Sequence, residues 1–83
     1  AKFLNDVSTA AFGYDIAELP AADAAGKTLA AFKEATGALI LAIRRGDELL
    51  VNPPLDAKIE KGDVLVVLGN REELERARTW QPP

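Results

Sequence analysis

Eighty-three residues, 48% of them hydrophobic and 28% charged, make one small folded domain rather than a disordered chain. The net charge of −3 argues against a surface for nucleic-acid polymers. The chain has neither cysteine nor histidine, which excludes disulfides, thiolate metal sites, cysteine nucleophiles and any Ser-His-Asp triad, and argues against a hydrolytic enzyme.

In "AKFLNDVSTAAF", Phe3, Leu4 and Val7 share one helical face, so residues 1–13 are expected to form a short connector helix ended by Gly13. The opening lacks a starting Met and a signal-peptide pattern, as expected of a domain excised from a longer chain. "YDIAELP" alternates, with Tyr14, Ile16 and Glu18 on one side and Asp15, Ala17 and Leu19 on the other. It predicts a strand that Pro20 ends. After the loop "AADAAG", "KTLAAFKEATG" predicts a helix with Thr28 as N-cap, Leu29 and Phe32 facing inward, and Gly37 just past the end. "ALILAIRR" is apolar on both faces, so a central strand covered on both sides is expected. Its apolar part is the longest such run and falls far short of the ~18 residues of a membrane span.

Gly46-Asp47 predicts a two-residue hairpin turn, because glycine tolerates the positive φ that such turns require. "ELLVN" returns as the partner strand, and Pro53-Pro54 ends it. A turn at Lys61-Gly62 precedes "VLVVLG", another strand apolar throughout. Asn70 can then cap a helix, with Glu73 placed to reach back to it. Leu74 and Ala77 face inward, and Trp80 closes the helix. This order predicts an α+β domain with a small, mostly antiparallel sheet and flanking helices.

Three short motifs invite functional readings. "RGD", Arg45 to Asp47, joins two apolar strands, so a turn explains it better than an adhesion signal. "GKT", Gly26 to Thr28, resembles the tail of a phosphate loop, but Ala21 stands where that motif needs a glycine, and a helix start is the simpler reading. Arg44 and Arg45 are adjacent on a strand and therefore point to opposite faces. Either is most simply a solvated strand-end charge, although a guanidinium also suits an anion. The acids are scattered, with no Asp-x-Asp loop of the EF-hand kind. Asn52 reads equally as a strand terminator or as a donor to a phosphate.

The stretch "ALILAIRRGDELLVNPPLDAKIEKGDVLVVLGNREELERA" resembles the C-terminal lobe of RCK domains, the TrkA C-terminal domain. The carriers are Arg45, Pro53, Gly62-Asp63 and Gly69, and "AELPA…GKTL" upstream fits the same pattern. The likeness covers about residues 14–80 and is greatest to lobes of calcium-gated prokaryotic potassium channels. It implies a ligand-sensing domain over residues 14–83, joined through residues 1–13 to an N-terminal lobe. It also implies a non-catalytic homodimer at the inner, cytoplasmic face of the cell membrane, with no insertion into it. The partner would be a potassium channel, transporter or antiporter, on the same chain or as a separate subunit. No GxGxxG is present, so neither NAD nor ATP is expected, and no resident cofactor is implied.

Two ligands follow from the resemblance. In members that bind cyclic di-AMP, Leu39 and Ile40 match residues that contact adenine. Arg45 and Asn52 match residues that hold phosphates, with Arg44 and Pro53 beside them. In calcium-regulated members, Glu18 and Glu73 match two acidic ligands. There Asn52 replaces an aspartate and a further acid would precede residue 1, which weakens the calcium reading. A further alternative is a purely structural dimerisation lobe with no ligand.

Overall fold

The computed structural model describes residues 13–82. The expected connector helix lies almost wholly outside them. Four strands, β1 (Asp15–Pro20), β2 (Leu39–Arg45), β3 (Glu48–Val51) and β4 (Val64–Gly69), form one sheet in the order β1-β4-β2-β3. Every pairing is antiparallel. A 3-10 turn at Ala22–Ala24 follows β1, helix α1 spans Leu29–Thr36, and helix α2 spans Arg71–Thr79.

Local chemistry sets these boundaries. The Thr28 hydroxyl accepts from Ala31 N–H at 3.1 Å, and Gly37 ends α1 with φ of 80°. The remaining first-turn donors of α1 are also taken: Leu29 N–H donates to Ala57 O and Ala30 N–H to Leu55 O. In the "GKT" segment the Gly26 and Lys27 amides are likewise taken, by Ile59 O and Ala24 O, so it forms a helix start rather than an open phosphate loop. In α2, Asn70 accepts from Glu73 N–H at 2.8 Å, while the Glu73 carboxylate accepts from Asn70 N–H at 2.9 Å. This reciprocal pair is the capping box that the sequence predicts.

One face of the sheet carries the core. Ala17 and Leu19 of β1, Leu65 and Val67 of β4, and Ile40 and Ile43 of β2 pack beneath Leu29 and Phe32 of α1 and Leu74 and Ala77 of α2. Trp80 stands edge-on to Phe32, with ring centroids 5.6 Å apart, and pins the two helices together. An irregularity at Leu41 shifts the register between Ile40 and Ala42. The shift keeps both Ile40 and Ile43 on the core face, which strict alternation could not do.

The opposite face has no covering layer among the described residues. Ile16, Leu39, Leu49 and Val51 are 43%, 39%, 58% and 70% exposed, and Val64, Val66 and Leu68 are half-buried between them. The expectation that β2 is covered on both sides therefore holds within one chain only for the helical side. The sequence shows that β2 and β4 are apolar on both faces but not what covers the second face.

Candidate functional site

The β2–β3 hairpin organises the candidate residues. Gly46 takes φ of 60°, Arg45 pairs with Glu48, and the ladder continues to Ala42 and Val51. It closes with Asn52 N–H donating to Leu41 O at 2.8 Å. Asn52 itself has φ of 52°, a left-handed conformation that asparagine tolerates better than most residues. Pro53 and Pro54 then turn the chain away. The start of β2 and the exit of β3 are thus neighbours, because antiparallel pairing puts the first residues of one strand beside the last of the other.

A hollow of about 450 Å³ opens at this place, a size suited to a small ligand. Leu39, Ile40, Asn52 and Pro53 line it, together with Leu29 and Lys33 from α1. A second hollow, of about 540 Å³, adjoins it along β3 and shares Asn52 and Pro53; Arg45 and Leu50 lie on its wall. Of the residues matched to cyclic di-AMP contacts, Leu39, Ile40, Asn52 and Pro53 share one hollow, and Arg45 belongs to the next.

Arg45 is already engaged. Its Nε and Nη2 donate to the two carboxylate oxygens of Asp63 at 2.9 and 2.8 Å. Nη2 also donates to Lys58 O at 3.2 Å, and Nη1 lies 3.3 Å from Glu60. Asp63 is only 1% exposed and accepts a further bond from Glu60 N–H at 2.9 Å. The forked hydrogen bond from Arg45 holds the Asp63 carboxyl below its usual range, against burial, which acts the other way; the Glu60 amide adds to the effect. The same bond raises the Arg45 guanidinium above its ordinary value. Arg45 also sits at the turn end of the hairpin and Asn52 at the open end, roughly 13 Å along a strand of about 3.3 Å per residue.

Arg44 faces the open side of the sheet and bonds Glu18 across β4 at 3.2 Å. Glu18 and Glu73 lie on opposite sides of the sheet, the first beside Arg44 and the second inside the capping box. Among the described residues no three acidic side chains converge in the way a cation site needs.

Asp63 is the residue whose role the sequence reading missed. The signal was present in Gly62-Asp63 ahead of an apolar strand. Gly62 takes φ of 88°, and the turn swings Asp63 under the sheet, where its backbone oxygen accepts from Ala21 N–H and its carboxylate meets Arg45.

The four-stranded antiparallel sheet, with its two helices on one face and hollows at the hairpin exit, defines a small α+β domain. Residues 11–81 match the family model of the TrkA-C domain, and the chain belongs to that family. This agrees with the resemblance read from the sequence. Among solved structures, the chain is similar to the RCK C domain of the potassium transport protein KtrA in complex with cyclic diadenosine monophosphate. That similarity has 29% identity and a TM-score of 0.70, and covers 90% of this chain and 92% of that one. A second similar structure is the RCK_C domain dimer of S. agalactiae BusR in complex with c-di-AMP. It has 29% identity and a TM-score of 0.63, over 69% of this chain and 73% of that one. Among curated proteins, potassium channel protein 1 of Methanocaldococcus jannaschii is 40% identical over 48 residues. That match covers 58% of this chain and only 14% of the channel protein's length.

Proposed function

We propose that this chain is a non-catalytic regulatory domain that senses cyclic di-AMP as a homodimer and controls a potassium channel or transporter from the cytoplasmic side of the membrane. The observation that carries this reading is the convergence of Leu39, Ile40, Asn52 and Pro53 on one hollow at the hairpin exit. Apolar walls suit a purine face, and the side-chain amide of Asn52 suits a phosphate oxygen. Family membership and the likeness to two domains seen with this ligand support the choice. The second hollow runs along β3, one of the two edge strands of the sheet, and the first opens at its exit, where a second copy can close them. Ligand that binds one arrangement of the two copies better than another biases the pair toward it, and that bias is what a pore can read.

Calorimetry with cyclic di-AMP on the wild type and on Asn52→Gly tests the reading. Glycine accepts the left-handed backbone at this position, so the variant removes the amide without straining the turn. The expected result is binding by the wild type and affinity at least about tenfold weaker in the variant, as for loss of a hydrogen bond to a charged group. No heat with the wild type, or equal affinities, contradicts it. Arg45→Ala is the poorer probe, because it strands the buried Asp63 carboxylate.

A further inference from the structure

We infer that Lys33 is an anion-binding residue of the hollow at the hairpin exit and supplies the phosphate-directed charge that Arg45 does not. The inference rests on the nucleotide reading above and adds a residue and a charge to it.

The domain carries a net charge of −3, so an anionic ligand needs a local cation to offset the field. Most of the arginines are committed. Arg44 pairs with Glu18, Arg45 with Asp63 and Glu60, and Arg78 with Glu75, while Arg76 donates to Thr36 O at the end of α1. Arg45 has a bond or ion pair on each of its three nitrogens, and the two carboxylates beside it outweigh its charge. A phosphate beside Arg45 would have the Asp63 and Glu60 carboxylates for neighbours, with Lys58 the other cation lining that hollow.

Lys33 stands differently. It lies one helical turn beyond Leu29, and both line the hollow that holds Leu39, Ile40, Asn52 and Pro53. It is exposed, and no hydrogen bond or ion pair to its ammonium is found among the described residues. The Asn52 side chain, which lines the same hollow, is likewise without a hydrogen bond among the described residues. The lining thus offers an ammonium with three donors, an amide and apolar side chains. This arrangement recognises a nucleotide phosphate attached to a flat base. It does not require the fork geometry of an arginine, because an ammonium binds phosphate as a point charge.

The test is calorimetry of the 83-residue chain with cyclic di-AMP, at low and high salt, on wild type, Lys33→Gln, Lys33→Arg and Lys61→Gln. Lys33 is exposed and Gln is a good helix former, so the variant is expected to fold. Lys33→Gln should weaken binding about tenfold and flatten its dependence on salt, as loss of a charge-assisted contact does. Lys33→Arg should keep most of the affinity, and Lys61→Gln, at the Lys61-Gly62 turn outside the hollow, should leave it unchanged. Binding by the wild type with equal affinity in Lys33→Gln overturns the role of Lys33 and leaves the nucleotide reading standing. Absence of binding by the wild type overturns both.

Discussion

Arg45 has two competing assignments, ligand of a phosphate and partner of a buried carboxylate, and its planar fork of donors serves one of them fully. The structure gives the fork to Asp63, which is almost wholly buried and bonded on both oxygens. Removing one member of a buried pair leaves the other desolvated and uncompensated. Asp63→Asn is expected to lower stability at neutral pH by about 2 kcal/mol, less than for a fully buried pair because Arg45 remains partly in water. The sign of the pH effect follows from the lowered carboxyl pKa of the folded state. The contribution of Asp63 is complete above the unfolded value of about 3.9 and is lost as pH falls through the lowered folded value. Urea midpoints from pH 7 down to pH 3 should therefore drop in the wild type and drop less in Asp63→Asn. Parallel curves would show that this pair adds nothing to acid sensitivity.

Gly69 and Glu73 show how one element positions the next. Gly69 ends β4 directly beneath the first turn of α2, and a Cβ there would lie 3.0 Å from Glu73 Cβ and 3.4 Å from Ala38 Cβ. Glu73 Cβ belongs to the helix rather than to the free end of a flexible side chain, so the helix itself must shift. Gly69→Ala is expected to cost about 1–3 kcal/mol and to loosen the capping box. Urea denaturation reads the first effect, and faster amide exchange at Glu73 and Leu74 reads the second. An unchanged midpoint would mean that α2 is seated elsewhere than on Gly69.

Elements of this kind were largely legible in the sequence. Thr28, Gly37, Asn70 and Glu73 act through local hydrogen bonds and backbone conformation, so their spacing alone places both helices. Gly46 and Gly62 mark their turns for the same reason. The irregularity at Leu41 was not legible, because it answers to the register against β4, a partner distant in sequence. The partner of Arg45 was hidden likewise, since Asp63 lies 18 positions away and its carboxylate reaches the guanidinium only after the sheet forms. Of the candidate site, the sequence pointed to Leu39, Ile40, Asn52 and Pro53 through a family resemblance, and folding brings these to one hollow. It gave no sign of Lys33, whose place there depends on how α1 packs over the hairpin exit.

At the scale of the whole molecule, helices and core occupy one side of the sheet and an apolar field occupies the other, crossed among the described residues only by the Glu18–Arg44 pair. Exposed apolar area of this kind marks an interaction surface more often than a free one. β3 is also an edge strand whose Leu49 and Val51 project unprotected by proline or lysine. A small domain with such a face gains from a second copy, and two copies related by a two-fold axis would bring their hairpin exits to one interface. A two-fold-symmetric nucleotide such as cyclic di-AMP suits that position. The most direct measurement is the stoichiometry of a calorimetric titration of the chain with cyclic di-AMP, with mass determined by light scattering in the same buffer. The expected result is a dimer that takes up one ligand for every two chains. A monomer that binds one ligand per chain, or a chain that binds none, would contradict the proposal that the ligand is sensed between two copies.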